Sequence, residues 1–302
     1  MRIIQSVMGN IKIFFQNYAT NSSHTLSADI KEFFATNVLS VGYYILYIMP
    51  QREDLKRTKG LKNTKKGRNC FVFANGPSIK LIDVDKIKKY QKSGFDVICI
   101  NSYMSSEMAK MLVPDYYVLS DPISFGLPGE IEVAEEVVNT HKAQIDRLNE
   151  LNIPVFIPAQ FHNLNLFKHS YIFNDFENRF TNNINPSKPR GYRTWTSYKA
   201  LAIACHLGYD SIYICGLDND YFKMLEVDEN NIVYYEDKHY YDKGTKRKLT
   251  NDSKGIGDML WSASLSFKQL YLFKEFDIRN LNKYGLVDAF SKKHDLDVYV
   301  DV

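Results

Sequence analysis

From residue 69 onward the chain alternates short apolar runs with longer amphipathic ones. The runs CFVFA, FDVICIN, PDYYVLSD, IPVFIPA and SIYICGLD are rich in β-branched and aromatic residues and nearly continuous in hydrophobicity. Strands covered on both faces of a parallel sheet have this pattern. Helical spacing lies between and after them, at 80–92, 105–112, 130–151, 196–207 and 257–276, and DIRNLN predicts a closing strand. Strands that alternate with helices predict an α/β fold, a Rossmann-like doubly wound parallel sheet in an α/β/α sandwich. Two stretches break the rhythm, 161–190 and 218–254. Both are polar, and loops of that length in a compact domain predict flexible lid segments.

Residues 1–68 read as a separate N-terminal helical and basic appendage to a domain spanning 69–302. Two apolar, helix-like segments end at Pro50, and the stretch behind them carries Arg52, Lys56, Arg57, Lys59, Lys62, Lys65, Lys66 and Arg68 against Glu53 and Asp54. An apolar helix followed by cations suits peripheral contact with an anionic membrane surface, or a hairpin packed on protein. The apolar core of this region is too short to span a bilayer, which needs about 20 residues. The first residues lack the continuous apolar core of a signal peptide, so the expected location is cytoplasmic, peripheral at the inner face of the membrane at most. Four cysteines, Cys70, Cys99, Cys205 and Cys215, lack metal or redox spacing and read as small buried hydrophobes. A net charge of +3 gives no reason to expect nucleic acid as a partner, while 21 Tyr and 19 Phe suit a binder of nucleotides or sugars.

Ligands of open parallel sheets sit beyond the carboxyl ends of the strands. The first strand is followed by Asn75, Gly76, Pro77 and Ser78, and the second by Asn101 and Ser102. Asp121 follows the third, and Gly216, Asp218, Asn219, Asp220 and Tyr221 follow SIYIC. Gly76 permits a close backbone turn. Pro77 suits a first helical position, and Ser78 places a hydroxyl near free N–H groups that favour phosphate. Amides, hydroxyls and few cations suit one phosphate and a polyhydroxylated sugar better than a triphosphate.

The segments FANGPSIKLIDVDKI, FDVICINSY, TSYKALAIACHLGYDSIYICGLD, KHYY and IRNLNKYGLVDAF resemble, in this order, the bacterial sialyltransferases of glycosyltransferase family 42 and the related motility-associated, DUF115-type glycosyltransferases. The resemblance implies an inverting, metal-independent glycosyltransferase without a cofactor. Its donor would be a CMP-linked nonulosonate such as sialic acid, and its acceptor a surface glycan, in lipopolysaccharide, lipooligosaccharide or capsule. It assigns Asn75 and Asn101 to the nucleotide and donor, and Ser197, beside Thr196, to the donor carboxylate. An oligomer is compatible with it.

Four positions depart from the family pattern. Asp121 stands where the sialyltransferases have Asn, and a carboxylate there repels a donor anion unless it is bridged or turned away. Arg193 lies one residue out of register before the Thr-Ser pair. Tyr221, the expected support of the leaving phosphate, lies one position late. Of the His-Tyr-x-x-His pattern only His239 remains, with Lys243 at the second position. His239 is the candidate base, because a group titrating near neutrality can take the acceptor proton, with Asp242 as its substitute. A rival chemistry comes from the carboxylates of Asp218 and Asp220, which could hold Mn²⁺ or Mg²⁺. With Asp121 they would suit a Mg-dependent phosphotransferase resembling archaeal pterin diphosphokinases. A non-catalytic scaffold of glycan assembly is the third reading.

Overall fold

The computed structural model describes residues 26–127, 135–237, 240, 245–248 and 256–301. Ten strands are present among them: β1 (Asn69–Phe73), β2 (Asp96–Ile100), β3 (Tyr116–Val118), β4 (Val155–Pro158), β5 (Ser170–Phe173), β6 (Ser211–Cys215), β7 (Glu226–Val227), β8 (Val233–Asp237), β9 (Thr245–Lys248) and β10 (Ile278–Asn280). The helices are α1 (Leu26–Tyr43), α2 (Arg52–Gly60), α3 (Val84–Lys92), α4 (Met108–Met111), α5 (Glu135–Glu150), α6 (Thr196–Leu207) and α7 (Ile256–Leu270).

Seven strands form one sheet in the order β10-β6-β1-β2-β3-β4-β5, and every pairing is parallel. Because strand residues alternate between faces, the continuous apolar runs feed two cores. Phe71, Phe73, Val97, Cys99, Tyr117, Val155, Ile157 and Tyr213 enter the core under α3 to α5. Cys70, Val72, Ile98, Ile100, Val118, Phe156, Ile212 and Ile214 enter the one under α6 and α7. The expected doubly wound, Rossmann-like α/β/α sandwich is therefore the observed fold. The chain builds outward from β1 to β5, then returns to lay β6 on the other side of β1. That reversal opens a crevice between the carboxyl ends of β1 and β6, where open α/β sheets bind ligands.

The basic stretch before β1 is not a solvated linker. Leu55 is buried, the Thr58 hydroxyl donates to the Ile172 carbonyl of edge strand β5 at 2.7 Å, and the Thr58 carbonyl lies 2.8 Å from His206 Nε2. Lys65 and Arg68 pair with buried Asp96 at 2.7 and 2.6 Å, and the Tyr209 hydroxyl donates to the same carboxylate. The border drawn at residue 68 thus falls inside a packed unit. Buried positions three residues apart, Leu55 and Thr58, carry this packing, and the surrounding lysines mask them in the sequence.

The first of the two expected lid segments, 161–190, supplies edge strand β5 and a loop held by its own asparagines. Asn174, Asn178, Asn183 and Asn185 each accept, through Oδ1, the backbone N–H two residues on, at 2.9–3.1 Å. The Asn-rich composition thus encodes local turns. Beneath the loop lies a buried ionic cluster. Asp175 accepts from Arg190 Nε at 3.0 Å and from Lys199 Nζ at 2.8 Å, and Arg190 also reaches Glu177 at 2.9 Å. The second segment, 218–254, contributes the antiparallel sheet β7-β8-β9.

Burial pushes the Lys199 ammonium down to about 8, against the pull of Asp175. Since the unfolded chain holds this proton up to the ordinary value of 10.5, raising the pH above about 8 favours the folded state through this group. Asp175→Ala leaves two buried cations with one carboxylate, and is expected to lower stability by about 3 kcal/mol in urea unfolding. Lys199→Met is expected to abolish the alkaline rise.

Candidate functional site

The crevice at the switch point is a cleft of about 1010 Å³. Its floor forms because β1 and β6 stay paired beyond their last residues. The Ala74 and Gly76 N–H groups donate to the Cys215 and Gly216 carbonyls, both at 2.9 Å. A Cβ at position 76 would lie 2.5 Å from Asp218 Oδ2 and 2.6 Å from the Gly216 carbonyl oxygen, so only glycine fits the turn. Gly216 adopts φ +72°, the left-handed region, with Ile79 packed over it.

Asp218 locks this turn. Its carboxylate accepts the Ser78 N–H at 2.9 Å, the Ser78 hydroxyl, and the Asn282 amide at 2.8 Å from beyond β10. Burial raises its pKa above the usual carboxylate value, while these donors pull it back. Ser78 lines the cleft, with its hydroxyl and its N–H both engaged by Asp218. Pro77 opens a single 3₁₀ turn, Pro77–Leu81, and the α-helix begins only at Val84. Asp220 pairs with Lys223 at 3.2 Å. Among the described residues no three His, Cys, Asp or Glu side chains gather as a cation site.

Two amides at the cleft have side-chain oxygens without a hydrogen-bond partner among the described residues. Asn75 and Asn101 both line it, and the Oδ1 atom of each is buried without a hydrogen bond. Asn101 adopts φ +46°, a conformation asparagine tolerates better than most residues. Its carbonyl is held by the Tyr117 hydroxyl. The Asn75 carbonyl accepts the Tyr240 N–H at 3.0 Å, which ties the second expected lid segment to the end of β1.

The first turn of α6 opens into the same cleft. Trp195 precedes the helix, no side chain caps it, and Trp195, Thr196 and Ser197 are lining residues. The Thr196 hydroxyl is 2.7 Å from that of Ser120 at the end of β3. A twelve-residue helix with an uncapped N-terminus presents N–H groups and a positive dipole end to an anion. Asp121 lines the cleft but turns Oδ1 to the Ile123 N–H at 3.1 Å, starting the 3₁₀ turn that follows β3. His141 of α5 feels the Asp121 charge, while burial holds its imidazole below the ordinary value.

Tyr221 also lines the cleft, its ring edge-on to Trp195 at 5.9 Å. Burial raises its pKa, so the phenol stays a neutral donor. Arg193 is not a lining residue. Its Nη2 reaches Ser262 at 3.0 Å and its N–H reaches Gln269 at 2.8 Å, so it braces the wall from behind. Ser102 is also absent from the lining, which otherwise gathers Asn75, Gly76, Pro77, Ser78, Asn101, Asp121, Thr196, Ser197, Gly216, Asp218 and Tyr221. His239, Asp242 and Lys243 lie outside the described residues. Sequence reasoning missed Trp195, Met224, Met259 and Tyr284, which add apolar and aromatic surface to the lining. It also missed Asn282, although the strand-end rule applied to DIRNLN points to it.

No family model and no curated protein matches this chain. Two solved structures are similar. The sialyltransferase CST-II in complex with a trisaccharide acceptor and CMP is 14% identical over 78% of this chain and 95% of its own, with a TM-score of 0.41. The sialyltransferase CstII from Campylobacter jejuni in complex with a substrate analogue, cytidine-5'-monophosphate, is 15% identical over 79% and 95%, with a TM-score of 0.43.

Gly76→Ala is expected to lower stability by about 2 kcal/mol, since the added methyl group meets Asp218 and the Gly216 carbonyl rather than a flexible side-chain end. Thermal unfolding checks this. The equivalent change at Gly60, with nothing within 4 Å, serves as the control expected to be near neutral.

Proposed function

We propose that the chain is an inverting, sialyltransferase-like glycosyltransferase that moves a nonulosonate from a CMP-sugar to a surface-glycan acceptor. One observation carries the reading: the unpartnered amide oxygens of Asn75 and Asn101 share a cleft with the uncapped N-terminus of α6. A buried amide oxygen without a partner costs about 1–3 kcal/mol, and a ligand donor removes that cost. Ribose hydroxyls and the cytosine amino group are such donors. The helix terminus suits the single phosphate or the sugar carboxylate. In this reading Ser197 and Thr196 orient the anion, and Tyr221 supports the departing phosphate as a neutral donor. Inversion is one displacement: the acceptor oxygen attacks the anomeric carbon as the bond to phosphate breaks. The acceptor proton goes to His239, with Asp242 as substitute.

The proposal is metal-independent. Asp218 already accepts three hydrogen bonds and Asp220 pairs with Lys223, which weakens the Mg-dependent phosphotransferase reading. The scaffold reading is separated from it by nucleotide binding and turnover.

CMP is expected to raise the melting temperature in the presence of EDTA, whereas UDP, GDP and ATP do so less. At a hundredfold excess over Kd the stabilisation is about 2.7 kcal/mol. Because Asn75 Oδ1 has no hydrogen-bond partner among the described residues, Asn75→Ala is expected to leave the ligand-free melting temperature near that of the parent. The same change weakens CMP by about tenfold, equivalent to about 1.4 kcal/mol. A shift seen only with ATP and Mg²⁺ favours the phosphotransferase, and no shift with any nucleotide favours the scaffold. Full transfer activity in His239→Ala removes the base assignment.

A further inference from the structure

Helix α1 is built inside out. Its seat on the domain is fixed by Phe33 against Phe180 at 5.2 Å, by the Glu32–Arg179 pair at 2.5 Å, and by the Tyr43 hydroxyl, which meets Gln160 and the Asp175 N–H. Toward the protein it turns Thr36, Asn37, Ser40 and Tyr43, all half-buried. Away from it, at helical spacing, stand Phe34 (64% exposed), Val38 (70%), Val41 (60%) and Ile45 (50%), flanked by Leu39 and Leu46. A surface helix in water has the opposite arrangement, and a continuous exposed apolar stripe marks a contact surface.

Three further features identify the partner. Residues 33–51 contain no charged side chain. The rod from 33 to 49 is about 25 Å long, and no single helix among the described residues is long and apolar enough to cross a membrane. The chain then bends by 94° into α2 and a cationic segment. Exposed Lys59, Lys62 and Lys66 follow that bend, and no ion pair to a described carboxylate holds them. A second copy would bring the same cations and no surplus of anions, whereas a bilayer with anionic headgroups complements both the stripe and the charge.

We infer that α1 and the π-helical turn that follows it, Tyr44–Ile48, lie in the plane of an anionic bilayer. Phe34, Val38, Val41 and Ile45 enter the acyl boundary, and the lysines after the bend meet the headgroup phosphates. This assignment does not depend on what the cleft binds.

The test uses the full chain and co-sedimentation with two kinds of vesicle, phosphatidylcholine alone and an equal mixture with phosphatidylglycerol. The mixed vesicles are expected to bind the protein on the order of tenfold more tightly. Val38→Glu/Leu46→Glu is expected to lose that binding by at least about tenfold without a change in melting temperature, because both side chains are exposed. Lys59→Glu/Lys62→Glu/Lys66→Glu is expected to erase the preference for the anionic vesicles. The inference is overturned if the parent protein fails to sediment with the mixed vesicles, or if the double variant binds them as well as the parent. It is overturned in favour of a second copy if the parent is a dimer that the double variant dissolves and vesicles bind neither.

Discussion

The carboxylate of Asp218 holds the two halves of the sheet together where a ligand would enter. It receives Ser78 from the turn after β1 and Asn282 from the chain after β10, and glycines at 76 and 216 let the backbones close around it. A residue that a pattern search offers as a metal ligand is here a structural tie. Its consequence for chemistry is direct. With that charge engaged, the cleft keeps amides, hydroxyls and a helix terminus at the strand ends, beside Asp121 and the Asp220–Lys223 pair.

A second polar assembly, away from the cleft, fixes the elements around it. Asp175 gathers Arg190 and Lys199, and its backbone N–H reaches the Tyr43 hydroxyl. Lys199 belongs to α6, whose first turn opens into the cleft, and Tyr43 belongs to α1, whose outer face is apolar. The helix whose first turn opens into the cleft and the helix that presents the stripe are thus seated on one buried residue, α6 on its carboxylate and α1 on its backbone N–H. Buried pairs of this kind add little net stability but are strongly destabilising when broken, so the Asp175–Lys199 pair resists displacement of α6.

Much of this was legible in the sequence. Central strands β1, β2, β3, β4 and β6 bury both faces, so their apolar runs are continuous and flanked by turn residues, and the strand-end rule leads to Asn75, Asn101 and Tyr221. Edge strand β5 escaped because four residues with one polar start, set in an Asn-rich stretch, carry no periodic signal. Helix α2 was masked by its lysines, since only Leu55 and Thr58 face inward. Ser102 and Arg193 were chosen by their neighbours in the chain, and no sequence pattern reports that Arg193 turns back toward Ser262 and Gln269. Trp195 passed unnoticed because an aromatic before a helix reads as packing, while its place in the lining depends on where β6 returns. The inverted seat of α1 depends on tertiary contacts with 160–180 and leaves no trace in composition.

The central claim is that the β1/β6 crevice receives a cytidine monophosphate, and crystals soaked with CMP in the presence of EDTA test it most directly. The ligand is expected with its phosphate against the first turn of α6 and its donors on the Oδ1 atoms of Asn75 and Asn101. An empty crevice at saturating CMP, or nucleotide density at another face of the sheet, contradicts it.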